Sequence, residues 1–76
     1  MSPANVGDDH RIACTLDTIL KARGMTLTEL ADRVGVTIVN LSVLKNDRAK
    51  AVRFSTLTAI CEVLECDVGD ILRIAE

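Results

Sequence analysis

The chain has 76 residues, a formal net charge of −2 at pH 7, and 49% apolar residues. This length allows one small domain with a single core, and the acidic balance excludes a protein that coats nucleic acid nonspecifically. Phe54 is the only aromatic residue, so the core has to be built from Leu, Ile, Val and Ala, which favours helices.

Several function classes are not expected. No apolar run approaches the roughly 18 residues of a membrane span, and the first ten residues lack a signal-peptide pattern, so a cytoplasmic protein is expected. The three cysteines, Cys14, Cys61 and Cys66, are expected to be reduced packing residues. With His10 as the only histidine, no spacing indicates a metal site, a cofactor or an active site, and we do not expect an enzyme.

The chain is expected to divide into a flexible N-terminal arm, residues 1–10, and a single domain, residues 11–76. The segment "RIAC" fits a short extended stretch. Thr15 follows it and can cap a first helix that ends at Gly24, although a helix start near Asp9 is an alternative.

The second helix has the clearest start signal. Thr26 and Glu29 have the spacing of a capping box, in which each side chain satisfies a free backbone N–H, and Gly35 can end the helix in the left-handed conformation. The expected inward face consists of Leu27, Leu30, Ala31 and Val34.

Thr37 can cap a third helix, in which Leu41 and Leu44 point inward together with Val36. At 100° per residue, not all of the neighbouring side chains fit on that stripe, so some must face outward. The residues in question are Ile38, Val39, Ser42 and Val43. Whether the three β-branched members contact a ligand, pack against the first helix, or contact a partner subunit stays open at this point.

A basic loop follows, carrying four cations against Asp47. These cations are Lys45, Arg48, Lys50 and Arg53. Such clustering in an acidic chain favours contact with phosphate over an ordinary solvated loop.

The chain should close with two further helices. Ser55 can cap the fourth, and Asp67, supported by Asp70, can cap a short fifth. The fourth helix is expected to turn Leu57, Ile60, Cys61 and Leu64 inward.

The stretches "GMTLTELADRVGVT", "LSVLKN" and "FSTLTAICEVLECDVGDIL" together resemble the Cro and phage-repressor (XRE-like) family of helix-turn-helix domains, in a small bacterial regulator subfamily. The resemblance covers roughly residues 12 to 74. It implies an all-α fold, a compact five-helix lambda-repressor-like bundle, with short terminal strands as an option. The third helix, 37–46, would be the recognition helix, which enters the DNA major groove.

Carried over position by position, the resemblance implies a set of DNA-contacting residues. Thr26 and Thr37 would lie near phosphates, and the third helix would present side chains to base edges. The whole set is Thr26, Thr37, Ile38, Val39, Asn40, Ser42, Val43, Lys45, Asn46, Arg48, Lys50 and Arg53. Family members often carry Gln, Arg, Ser or Lys where this chain has Ile38, Val39 and Val43. Because these apolar side chains cannot hydrogen-bond to bases, they are expected to pack on thymine methyl groups and to give modest specificity.

The predicted function is therefore a DNA-binding transcriptional regulator that acts as a repressor and binds double-stranded DNA as a homodimer. Either the tail "ILRIAE" or the segment "RIAC" could pair across the two-fold axis as a short strand. The alternative is a helix-turn-helix scaffold used for protein association, for example as an antitoxin-like partner, through the patch of Ile38, Val39 and Val43.

Overall fold

The computed structural model describes residues 10–75, and the predicted flexible arm lies outside this range except for His10. The chain is predominantly helical, which confirms the predicted fold class. None of the described helices is long and apolar enough to cross a bilayer. In chain order the elements are β1 (Ile12–Cys14), α1 (Leu16–Arg23), α2 (Leu27–Val34), α3 (Ile38–Lys45), α4 (Phe54–Leu64), α5 (Val68–Ile71) and β2 (Leu72–Ile74).

The ends of α1 and α2 follow the sequence signals. Gly24 and Gly35 end these helices with φ angles of 65° and 86°, a left-handed conformation that costs glycine little. Thr26 accepts a hydrogen bond from the Glu29 N–H (3.1 Å). The Glu29 carboxylate pairs with Arg33 (3.0 Å) instead of returning to Thr26, so the predicted capping box is only half formed.

The predicted start of the fourth helix was wrong. Ser55 does not cap α4, because the helix already begins at Phe54 and Arg53 occupies the cap position. The Arg53 carbonyl accepts the first intrahelical hydrogen bond from the Leu57 N–H (3.0 Å), which leaves Ser55 inside the first turn. Because α4 begins earlier than a Ser55 cap would allow, it is longer but has no side-chain cap.

Thr15 precedes α1 as predicted, but its hydroxyl does not cap the helix. It donates instead to the backbone oxygens of Asp70 and Ile71, far along the chain. The Thr15 N–H also donates to Ile71 O (2.7 Å). Thr15 therefore fastens the start of the domain to its end. The alternative helix start near Asp9 was wrong, because residues 12–14 form a strand.

The two strands form an antiparallel pair within one chain, with Ile12 opposite Ile74 and Cys14 opposite Leu72. The prediction that these segments are short strands is thus confirmed. Each strand is the partner of the other in the same chain, which takes up one edge of each, and pairing of an outer edge across a two-fold axis stays a prediction. The sheet joins both ends of the described chain.

The core is aliphatic, as the composition predicts, and Phe54 is 85% exposed. The inward positions predicted on α2, α3 and α4 lie in or against this core. Its fully packed cluster consists of Leu16, Leu20, Leu30, Ala31, Leu41, Leu44, Ile60, Leu64 and Ile71. The three thiols are free and half-buried around this cluster.

Candidate nucleic-acid interface

One side of α3 is fixed by the core. Leu41 and Leu44 are 1% and 7% exposed, so the opposite side of the helix must face outward. That side carries Val39, Ile38 and Val43, which are 66%, 44% and 38% exposed. The three β-branched residues therefore form an exposed apolar surface in the described chain.

Two polar side chains share this outward stripe. Ser42 and Asn46 lie three and seven residues after Val39, so they follow it along the same side of the helix. The Asn46 Nδ2 donates to Ser42 Oγ at 3.3 Å. The side-chain amide oxygen of Asn46 and the hydroxyl hydrogen of Ser42 keep their capacity for further hydrogen bonds.

The start of α3 is capped as predicted. Thr37 accepts a hydrogen bond from the Asn40 N–H at 3.1 Å and remains exposed. At the start of α2, Thr26 has the same arrangement with Glu29. Each hydroxyl accepts within its own turn and still carries a hydrogen to donate.

A cleft of about 510 Å³ lies between α3 and the loop that leads to α4. Its lining combines apolar side chains from α3 with the basic residues of the loop. The predicted site residues that meet there are Asn40, Val43, Arg48, Lys50 and Arg53. Residues separated by up to 13 positions in sequence thus share one concave surface beside the outward stripe of α3.

Two side chains hold this loop against β1. Asp47 has a positive φ of 62°, and its Oδ1 accepts a hydrogen bond from the Cys14 N–H at 2.7 Å. His10 Nε2 lies 3.1 Å from Ala49 O, while His10 Nδ1 accepts from the Ile12 N–H, also at 3.1 Å. A neutral ring protonated at Nε2 makes both bonds, so the loop is anchored at two points.

The cations differ in their surroundings. Arg48 and Arg53 make no ion pair with a carboxylate of residues 10–75, and both line the cleft. The side chain of Lys45 is 28% exposed and leans toward α1, with its Nζ 3.9 Å from Asp17 Oδ1. Lys45 is therefore the one predicted cation that the fold directs away from the cleft.

The sequence reasoning considered Phe54 only as the single aromatic residue of the chain and gave it no place in the candidate site. It is the first residue of α4, it follows Arg53 directly, and it is 85% exposed. A single aromatic residue directly after a basic loop is the sequence signal that places Phe54 beside the cleft.

The pair α2 and α3 is joined by a short turn at Gly35, and α3 turns its outer side to solvent. This is the helix-turn-helix arrangement of DNA-binding proteins. The model for the Cro/C1-type HTH DNA-binding domain matches residues 15–75, and the chain belongs to this family.

Known proteins are similar to this chain in sequence and in fold. The chain is 57% identical over 61 residues to the HTH-type transcriptional regulator YozG of Bacillus subtilis (strain 168), which covers 80% of this chain and 73% of that protein. The crystal structure of the transcriptional regulator VanUg superposes with a TM-score of 0.74 at 28% identity, covering 97% of each chain. The chain is thus a helix-turn-helix DNA-binding transcriptional regulator.

Proposed function

We propose that this regulator represses transcription by binding a preferred DNA site as a homodimer, with α3 in the major groove. The observation that carries the proposal is the outward stripe of α3 lying next to the basic cleft. One surface then offers contacts to base edges and to phosphates, the two components of specific DNA recognition.

Base contacts come from the outward stripe. Val39 is the most exposed of the large apolar residues on α3, and its methyl groups match the C5-methyl group of thymine. Ile38 and Val43 enlarge this apolar surface. Ser42 and Asn46 supply the polar contacts, since their mutual hydrogen bond leaves one donor and one acceptor for base edges.

Phosphate contacts come from the cleft and from the two helix starts. Arg48, Lys50 and Arg53 bind the backbone of one strand, and Asn40 lies beside them. Thr26 and Thr37 donate their hydroxyl hydrogens to phosphates at the starts of α2 and α3. Lys45 adds a further phosphate contact after its ammonium group leaves Asp17. This ion pair is weak, because its charged atoms are 3.9 Å apart and Asp17 is exposed.

A homodimer suits this mode of binding, because two copies reading one site mirror the two-fold symmetry of the DNA. The outer edge of β1 is already occupied, since the N–H groups of Ile12 and Cys14 donate to His10 and Asp47. The backbone of Ile74 points away from β1, and its side chain is 55% exposed. We infer that the second copy adds along β2, where an open strand edge meets an exposed apolar residue.

The dimer surface is tested by sedimentation equilibrium of Ile74→Lys. The added charge should shift the protein toward monomer, because lysine at a strand edge opposes strand pairing. Ala22→Lys adds the same charge at an exposed position of α1 and should leave the assembly unchanged. Unchanged assembly in both variants would remove β2 from the interface.

Repression follows from occupancy: a dimer seated on a promoter excludes other proteins from the same DNA. In a reporter strain whose promoter contains the selected site, expression of the regulator should lower the signal. A rise in signal on binding to that site would identify an activator instead.

The decisive experiment on base reading selects duplexes from a randomised pool and follows binding by fluorescence anisotropy at about 50 and 200 mM salt. A roughly palindromic, thymine-containing site should emerge. Val39→Ala should weaken that site severalfold more than random DNA. Equal losses on both DNAs would exclude base reading by Val39, and a folded sample without affinity for any duplex would favour the protein-association use of the α3 surface.

A further inference from the structure

The end of α4 brings two cysteines together. Glu65 adopts a left-handed conformation with a φ of 53°, and the Cys66 N–H folds back to donate to Cys61 O at 3.0 Å. This is the hydrogen bond from the second residue beyond the helix to its last turn, and the side chains at these two positions pack together in such caps.

The two thiols share one environment. Both side chains are half-buried and line the same hollow, next to Thr58 and Val68. Burial raises the pKa of the Cys66 thiol, and the neighbouring Cys61 thiol adds to the rise through its charge and a hydrogen bond. The sulfur atoms are therefore neighbours, although both cysteines are free.

We propose that Cys61 and Cys66 form a modification site at which a low-molecular-weight disulfide converts the two thiols reversibly into an intramolecular disulfide. The geometry carries the inference, because the cap already holds in contact the two side chains that a disulfide joins. The inference is independent of DNA binding, since the site lies at the opposite end of α4 from Arg53 and the cleft.

The exchange takes place in two steps. The thiolate of one cysteine attacks a sulfur of the small disulfide, forms a mixed disulfide, and releases one small thiolate. The thiolate of the second cysteine then attacks the protein sulfur of that mixed disulfide and releases the other. The two protein thiols are oxidised, the small disulfide is reduced to two thiols, and the two protons from the protein end on the released thiolates.

The charge around the hollow selects among small disulfides. Four carboxylates line it, and Arg23 is the cation that influences Cys66. These acidic residues are Glu62, Glu65, Asp67 and Asp70. A cationic disulfide such as cystamine should therefore react faster than the anionic glutathione disulfide.

The test uses the wild-type protein, because trypsin places Cys14 in a different peptide from Cys61 and Cys66. Cleavage after lysine and arginine leaves Cys61 and Cys66 together in peptide 54–73 and Cys14 alone in peptide 12–21. The folded protein is treated with cystamine, quenched with acid and digested. We expect peptide 54–73 to lose two hydrogen atoms without keeping a cystamine fragment, while peptide 12–21, where it reacts, keeps one.

Two further measurements complete the test. A protease that cleaves after Glu62 and Glu65 should release fragments that stay joined until a reductant is added. Cys66→Ser is the matched control, and its lone Cys61 should retain the cystamine fragment. A persistent mixed disulfide on wild-type peptide 54–73, or free thiols there after Cys14 has reacted, would overturn the pairing. Faster reaction with glutathione disulfide would overturn the charge selection.

Discussion

The carboxylate of Asp47 accepts a hydrogen bond from the backbone N–H of Cys14 at 2.7 Å, across 33 residues of sequence. This bond joins the basic loop to β1, at the junction between the cleft and the terminal sheet. Asp47 also holds a positive φ of 62°, which aspartate and asparagine tolerate better than most residues. One side chain thus supplies both the turn and its anchor.

Asp47→Ala should lower the free energy of unfolding by about 1–3 kcal/mol, because it leaves the Cys14 N–H without its acceptor and puts alanine in a left-handed conformation. Asp47→Asn retains the acceptor oxygen and the backbone preference, so it should cost much less. Urea denaturation of both variants measures the difference. Equal losses would mean that the carboxylate charge, and not the hydrogen bond, holds the loop.

The two sides of α3 should respond differently to truncation. Leu41→Ala removes a side chain that is 1% exposed and should cost about 2–5 kcal/mol of unfolding free energy. Val39→Ala, on the same helix but 66% exposed, should cost less than about 1 kcal/mol. Urea denaturation again provides the readout. A comparable loss at Val39 would show that its side chain is buried in an interface in solution.

Much of the fold could be predicted because its signals are local. The glycines after α1 and α2 and the threonine before α3 determine helix ends through their own turns. Asp67 was likewise correctly assigned to the start of α5, where its N–H donates to Asp70 Oδ2 at 2.9 Å. Spacing of the leucines identified the inward faces, since burial on a helix follows its period.

What the sequence did not reveal depends on distant partners. The Thr15 hydroxyl donates to the carbonyls of Asp70 and Ile71. Its side chain could cap α1, but it binds the distant end of the domain instead. Strands of three residues contain too little pattern to distinguish pairing within the chain from pairing between chains. The anchor from Asp47 to Cys14 likewise has no local signature, and the cleft that it supports could not be derived from spacing.

Arg48→Ala should weaken binding to every DNA sequence and reduce the slope of log affinity against log salt by about one unit. The physical reason is the loss of one neutralised phosphate, because Arg48 lines the cleft without a carboxylate partner among residues 10–75. Anisotropy titrations at four or five salt concentrations measure the slope.

Lys21→Ala is the matched control for this measurement. Lys21 is also a surface cation, with a side chain that is 79% exposed, but it lies on α1 and pairs with Asp17 at 3.2 Å. Its removal changes the net charge equally and should leave the slope nearly unchanged. If both variants lowered the slope to the same extent, overall charge would account for the effect and Arg48 would not be a phosphate contact.

Cys14 should react slowly with alkylating reagents in the folded protein. Burial raises the pKa of its thiol, the Asp47 carboxylate adds to the rise, and a hydrogen bond with the Leu16 backbone opposes it. A raised pKa means less of the reactive thiolate at neutral pH than in the unfolded chain, so the rate should increase steeply as the pH rises toward and beyond 9. Timed labelling with iodoacetamide, followed by quantification of peptide 12–21, measures this rate in native buffer and in urea. Equal rates in the two conditions at pH 7 would show that the fold does not protect the Cys14 thiol, and that the anchor from Asp47 does not keep β1 closed.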